Sequence, residues 1–357
     1  MAVFRSAFPY AHIPHMTDLK RAPAPNSPAE LPEGITLEDA ERITELAEED
    51  RRPSTRRVYR SKWRLFAAWC NERGADPLPA SEELVAAYLA ERAEEVSLST
   101  IRQDVAAVKW MHERRGLEPP TDGEGIGRVL DGISQTSSPT DGRGKKEAAL
   151  TEHIRQMVAA LPLEAPAPGD GVAAEARHLR ALRDRAILLV GYAGAFRRSE
   201  LATIRPEDVS HNAKGMEIHV PETKTDPRTV GITYAEDASL CPVRALGEWT
   251  EAAGIGAGPL FRAVPRSAKI ATGEEAEPIT GKTVRNVIGD AAEAAGLDPE
   301  RMAGHSLRRG HITQGALRGA GLDRLMKQAG HADPRTTAEY VEDAKRMETT
   351  TAQNLGL

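Results

Sequence analysis

One stretch of alternating apolar and polar residues, MEIHVPETKTDPRTVGITY (216–234), breaks a chain whose apolar positions otherwise recur at helical spacing. It reads as two strands around a polar turn, and it leaves no material for a large sheet. The expected fold is therefore mainly α, with a small antiparallel β-sheet. The helical patterns fall into two groups. In residues 53–135 four follow one another. STRRVYRSKWRLFAAWCNERG sets Val58, Trp63, Phe66 and Trp69 in a broad apolar stripe, and SEELVAAYLAERAEE starts at Ser81, a good N-cap followed by acids. SLSTIRQDVAAVKWMHERRG spaces Ile101, Val105, Val108 and Met111 helically and ends at Gly116, and a shorter helix covers about 124–135. This predicts a small all-helical domain.

TSSPTDGRGKKEA (136–148) is rich in turn formers and reads as a linker. Residues 149–357 form a second domain. LTEHIRQMVAALP has Thr151 as its cap, RHLRALRDRAILLVGYAGA turns strongly apolar in its second half as a buried helix does, and CPVRALGEWTEAAG and TGKTVRNVIGDAAEAAG are further helices. At the other end, residues 1–52 read as a disordered arm rich in Pro and Ala, followed by an acidic amphipathic helix, TLEDAERITELAEED, with Thr36 as N-cap and Asp39 three positions later.

The net charge of −6 argues superficially against a nucleic-acid binder, but residues 1–50 carry all of it. The rest of the chain is balanced, and within it RRPSTRRVYRSKWR (51–64) holds seven basic residues and no acid, an electrostatic footprint for phosphate that a solvated helix face would also display. No apolar run approaches the ~18 residues of a membrane span. The N-terminus lacks the apolar core of a secretory signal. Cys70 and Cys241 stand far apart, without disulfide or metal spacing. A cytoplasmic protein without membrane partner is the expectation.

Five short stretches carry the chemistry. GAFRRSEL places Arg197 three residues before Glu200, on one helix face; PETKTDP puts Lys224 at the hairpin turn; HSLRRG sets His305 and Arg308 three apart on a helix; AGH supplies His331; and Tyr340 follows in AEYVEDA. Each alone is ordinary: a surface ion pair, a solvated lysine, a chance His-x-x-Arg, an amphipathic tyrosine. As an ordered set, with FAAWC, VKWMHERRGL, GYAGAFRRSELATIRPEDVS and TKT, they resemble the tyrosine recombinase (phage integrase) family over about residues 54–357. Arg197 and Arg308 match the family's two active-site arginines, Lys224 its hairpin lysine, His305 and His331 its two histidine positions, Glu200 its supporting acid and Tyr340 its nucleophile. One departure is the adjacent Arg198, where members usually carry an apolar or small residue.

The resemblance implies a helical core-binding domain of SAM-like fold and an α-rich catalytic domain. It implies cleavage and rejoining of DNA strands through a 3′-phosphotyrosine at Tyr340, with no cofactor, ATP or metal. The chemistry suits these residue types. Guanidinium groups offer planar, bidentate donation to phosphate oxygens. A phenol of pKa ~10 needs cations and a proton acceptor such as His305 to attack at neutral pH. Lys224 is then the donor to the leaving 5′-oxygen, His331 a further donor, and Glu200 orients the arginine helix or His305. Members clamp double-stranded DNA, here with an inverted-repeat target, between their domains. Arg56, Arg57, Arg60, Lys62, Arg102, Lys109, Arg143, Lys145, Lys146, Lys282 and Arg285 are the candidate DNA contacts. The expected assembly is a homo-tetramer on two sites, joined by exchange of the C-terminal helix, with Met347 and Leu355 as apolar anchors. A type IB topoisomerase or a DNA-binding protein without catalysis are the alternatives. The compact N-terminal domain disfavours the first, and the complete residue set the second.

Overall fold

The computed structural model describes residues 53–136, 147–221, 227–302 and 304–345. The acidic helix expected at 36–50, Arg143, Lys145, Lys146, Lys224, Met347 and Leu355 fall outside these. The described chain divides into two compact units, split at Gly142 and Arg143.

The first unit holds α1 (Pro53–Glu72), α2 (Glu82–Ala93), α3 (Leu98–Glu113) and α4 (Glu124–Thr136). Ser81 and Ser97 cap α2 and α3, each side chain accepting a backbone N–H three residues on. Past the end of α3, Gly116 takes the left-handed φ of 66°, which a residue with a Cβ adopts at a cost. Phe66, Val85, Tyr88, Leu89, Ile101, Val108, Ile126 and Ile133 form the core, with Phe66 and Tyr88 edge to face at 5.1 Å. The stripe expected on α1 shifts: Phe66 and Cys70 are buried, whereas Val58 is 42 % exposed. Buried His112 ties the loop before α2 to α3. Its Nδ1 lies 2.9 Å from the Val108 carbonyl, and its Nε2 accepts the Ala80 N–H at 3.0 Å.

The second unit runs α5 (Thr151–Ala159), α6 (Val172–Ala193), α7 (Arg198–Thr203), β1 (Val209–Asn212), β2 (Gly215–Val220), β3 (Arg228–Thr233), α8 (Pro242–Ala252), α9 (Gly281–Ala294), α10 (Gly304–Leu317), α11 (Leu322–Ala329) and α12 (Pro334–Lys345). Thr151 is the first residue of α5 rather than its cap, which is Leu150; its hydroxyl bonds Tyr192 Oη at 2.8 Å instead. The second half of α6 is buried as its apolar run requires, and Trp249 of α8 packs fully buried in the same core, donating from Nε1 to the Leu260 carbonyl at 2.8 Å.

The sheet is antiparallel in the order β1-β2-β3, with Met216 opposite Ile232 and Ile218 opposite Val230. Those four apolar residues and Val220 are buried, so the strand alternation reads out directly as one face on the core. β1 has no such alternation: it is a short polar edge, held by a turn in which Asn212 Oδ1 accepts the N–H groups of Lys214 and Gly215.

Residues 147–150 lie along α10, with the Ala149 N–H donating to the Ser306 carbonyl at 3.0 Å. The contact is close because residue 310 has no side chain: a Cβ there would meet the Ala149 carbonyl oxygen at 1.9 Å and its carbon at 2.6 Å. Gly→Ala in a helix interior normally stabilises by about 1 kcal/mol. At Gly310 the obstacle is backbone, so overpacking of about 1–3 kcal/mol or more takes over. Thermal denaturation should show Gly310→Ala melting several degrees below wild type, while Gly289→Ala on α9, where a Cβ meets nothing within 4 Å, melts at or above it. Equal melting of the two variants would refute this account of the α10 contact.

Candidate active site

The carboxylate of Glu200, a residue only 2 % exposed, stands at the centre of the site. The expectation of an Arg-x-x-Glu pair on one helix face is not met. Arg197 precedes α7 as its N-cap, with extended backbone (φ −71°, ψ 150°), and Glu200 reaches back to it. Glu200 Oε2 accepts the Arg197 backbone N–H at 2.8 Å, and Oε1 accepts Arg197 Nη1 at 2.6 Å. This is how a helix start satisfies donors that have no partner one turn earlier. A second guanidinium grips the same carboxylate. Arg228, the first residue of β3, donates Nη1 to Oε1 at 3.1 Å and Nη2 to Oε2 at 2.9 Å. Burial by itself raises the Glu200 pKa, but the donors of Arg228 and Arg197 outweigh it and pull the carboxyl down to about 2. Its hydrogen bonds go to arginines 197 and 228, not to His305.

Arg308 is 2 % exposed in α10. Its Nη1 donates to the Ala195 carbonyl at 2.8 Å, and Ala195 itself adopts a left-handed φ of 50°. Its Nη2 is buried with no hydrogen-bond partner among the described residues. Burial first, and then the neighbouring Arg197, push this guanidinium down to about 9, still protonated at neutral pH. A buried cation with an unused donor is costly unless an anion meets it.

Arg197 Nη2 donates to the Gly330 carbonyl at 3.1 Å. Gly330 ends α11 in the left-handed conformation (φ 63°, ψ 51°), and a Cβ on it would lie 2.9 Å from Cδ, Nε and Cζ of Arg228. Glycine is thus required there by both conformation and close approach. His331 follows. Its Nδ1 lies 2.7 Å from Thr337 Oγ1 of α12, and burial, then Arg308 and Arg197, hold its pKa down to about 4. His305, at the start of α10 with an edge open to solvent, is held below the usual histidine range by partial burial and then by Arg308, Arg198 and Arg197. Both rings are neutral at pH 7. Tyr340, on α12, is half-buried against the small cluster of Ala195, Ile312, Ala316, Leu325 and Ala329. Its ring centroid is 6.4 Å from that of His331 and 5.1 Å from the Arg309 guanidinium carbon, and its phenol is near enough to bear on the ionisation of Arg308.

Six of the seven expected residues thus share one electrostatic neighbourhood: Arg197, Glu200, His305, Arg308, His331 and Tyr340. Lys224 lies outside the described residues, between the ends of β2 and β3. Arg228, Arg309 and Thr337 were not expected. Arg228 had a sequence signal: alternation puts it on the inward face of β3 with Val230 and Ile232, where an arginine needs a buried acid.

The basic residues assigned to DNA divide. Arg57, Arg60 and Arg102 in the first unit and Lys282 and Arg285 on α9 are exposed, and Arg56 is half-buried. Lys62, whose side chain is 14 % exposed, pairs at 3.0 Å with Asp104, a buried acid of α3, and Lys109 pairs with Asp122 at 2.7 Å. Those two charges already have partners within the fold. No described helix is long and apolar enough to cross a membrane.

The phage integrase family profile matches residues 172–347. A protein described as an integrase/recombinase XerD homologue from Selenomonas ruminantium is 30 % identical over 318 residues, spanning 86 % of this chain and 87 % of its own. The Cre recombinase of Escherichia phage P1 is 26 % identical over 301 residues, spanning 81 % and 84 %. Two solved structures share the fold. XerH site-specific recombinase in a post-cleavage complex with palindromic difH substrate gives a TM-score of 0.53 at 14 % identity, over 77 % of this chain and 73 % of that one. A lambda integrase dimer bound to a COC′ core site gives 0.53 at 15 %, over 87 % and 79 %.

Because the folded-state pKa of Glu200 is depressed to about 2 from 4.5, its contribution to stability is complete above about pH 4.5 and is lost as the pH falls toward 2. Acid titration followed by circular dichroism should show this loss in wild type. Glu200→Gln removes the charge between two arginines, should cost roughly 3–5 kcal/mol at neutral pH, and should flatten that acid limb. An acid limb unchanged in the variant would remove Glu200 from its place at the centre of the site.

Proposed function

The chain belongs to the phage integrase family, the tyrosine recombinases, and on that footing we propose that it recombines DNA at specific sites through a covalent 3′-phosphotyrosyl intermediate on Tyr340. The observation that carries this reading is the buried, protonated Arg308 with its unused Nη2, near Arg197 and within electrostatic reach of the Tyr340 phenol. A DNA phosphate supplies the anion that this donor lacks.

In this reading Arg197 and Arg308 hold the non-bridging oxygens of the scissile phosphate, where charge grows in the transition state. Tyr340 Oη attacks phosphorus and the bond to the 5′-oxygen breaks. The phenolic proton passes to His305, whose depressed pKa keeps it neutral and able to accept. His331 acts as the tautomer protonated on Nε2, a neutral donor for the phosphate, with its Nδ1 facing Thr337 Oγ1 at 2.7 Å. Lys224 protonates the leaving 5′-oxygen. Attack of a 5′-hydroxyl on the phosphotyrosine reverses the step, so the phosphodiester is conserved and the exchange needs no external energy source. Glu200 fixes Arg197. The target is duplex DNA with an inverted repeat, the working assembly is a tetramer on two sites joined through the C-terminal segment, and exposed Arg57, Arg60, Arg102, Lys282 and Arg285 add phosphate contacts.

Tyr340→Phe should bind a target duplex as wild type does and form no covalent adduct on a nicked suicide substrate. Adduct formation by this variant would overturn the assignment. Lys224→Ala should slow cleavage by about 10²–10⁴-fold, as expected for loss of a general acid, with affinity nearly intact. A 5′-bridging phosphorothiolate, whose thiolate leaves without a proton, should restore its rate. Relaxation of plasmids lacking any target site would favour a topoisomerase instead.

A further inference from the structure

Arg228 plays no part in the chemistry described so far, yet it holds Glu200 as firmly as Arg197 does. Both its terminal nitrogens bond the carboxylate, one to each oxygen, and the aliphatic end of its side chain and its guanidinium carbon lie against Gly330. Its side chain is 10 % exposed and that of Glu200 is fully buried. Three elements, β3, α7 and the end of α11, therefore meet on one guanidinium.

We propose that Arg228 is a positioning residue of the phosphate site, occupying and neutralising Glu200 so that Arg197 remains turned toward the scissile phosphate. The inference rests on the recombinase reading and deepens it. Two physical consequences follow from the geometry. The first is directional. A buried carboxylate seeks a two-pronged partner, and with Arg228 in that place Arg197 binds Glu200 through the single side-chain nitrogen Nη1, while Nη2 turns to the Gly330 carbonyl. Without Arg228, the buried Glu200 draws Arg197 into the vacated fork, away from the substrate. The second is charge. Around Glu200 itself, Arg197, Arg228 and Arg308 leave a surplus of two positive charges, and Arg309 beside the Tyr340 ring adds to it. A phosphodiester attacked by a phenolate carries two negative ones. Loss of Arg228 removes one positive charge close to where negative charge develops.

A simple structural strut would make the same contacts, so the test must separate the two. Single-turnover cleavage of a suicide duplex at saturating protein is measured for wild type, Arg228→Met, Arg228→Lys, Glu200→Gln and the double variant Glu200→Gln/Arg228→Met, with affinity read on the same proteins in a Tyr340→Phe background. Arg228→Met should slow cleavage by about 10²-fold, the scale of a lost electrostatic group, and leave affinity within about threefold of wild type. Arg228→Lys, which keeps the charge but not the fork, should recover part of the rate yet stay below wild type. In the Glu200→Gln background the same Arg228→Met change should cost less than about fivefold, because the charge it balanced is gone.

Equal losses in both Glu200 backgrounds would overturn the proposal, as would a fall in affinity that parallels the rate, or a wild-type rate in Arg228→Met. Should Arg228→Met fail to fold by circular dichroism, Arg228→Lys decides: a full wild-type rate would show that the fork is dispensable and the proposal wrong. Wild-type protein that forms no adduct overturns the recombinase reading, and this inference with it. Wild type that cleaves beside an equally active Arg228→Met overturns this inference alone.

Discussion

One buried negative charge organises the second unit's working face. Glu200 lies out of solvent with arginines on two sides, and an ion so placed is tolerable only when its lone pairs are met by donors. The demand fixes much else. It places Arg197 at the start of α7, brings the first residue of β3 against that helix, and admits only glycine at 330, where the Arg228 side chain and the end of α11 close over it. The cationic pocket thus grows outward from an anion.

The pocket's electrostatics are unbalanced by design of its parts. Three guanidinium groups face one carboxylate, and two histidines are kept neutral by burial and by those same cations. Neutral imidazoles donate or accept a proton without adding to the repulsion among the arginines. A site with excess positive charge and an unused buried donor at Arg308 is strained until an anion enters, which is the property a phosphate-transfer centre needs. Tyr340 does two things within this frame. Its ring packs with Ile312, Ala316, Leu325 and Ala329, which orders α12 on α10 and α11, and the same packing holds its phenol beside the charges. The amphipathic reading of this tyrosine and the proposed nucleophilic one concern two ends of one side chain.

In the first unit, basic residues that look equivalent along the chain have unlike fates. Arg57, Arg60 and Arg102 reach solvent, while Lys62 is drawn to Asp104 and Lys109 to Asp122. The run RRPSTRRVYRSKWR announces positive charge, but the share left over for a partner depends on which acids the fold brings near. Asp104 shares the buried face of α3 with Ile101, Ala107 and Val108, but nothing local says that its partner will be Lys62 of α1. Similarly, Val58 fits the helical stripe of α1 yet stays exposed, because the four-helix core is filled by Phe66, Cys70 and their partners on the other helices.

The main helices, the β2–β3 hairpin, the two-group organisation and the ordered set of Arg, Lys, His and Tyr follow from local pattern, whereas the polar edge strand β1 has no alternation to announce it. Periodicity and capping chemistry act over a few residues, and the motif residues keep their identities whatever surrounds them. Arg228 was not expected, although its place on the inward face of β3 beside Val230 calls for an acid partner. Tertiary structure alone decided which acid. Glu200 and Arg228 are 28 positions apart, and Arg197 and Gly330 are 133 apart. It also turned Arg197 from a helix-face residue into a cap, left Arg308 with a spare donor, and took Lys62 out of solvent. These outcomes depend on distances between segments remote in the chain. Burial and Coulomb energy are settled there, and a one-dimensional pattern carries no record of either.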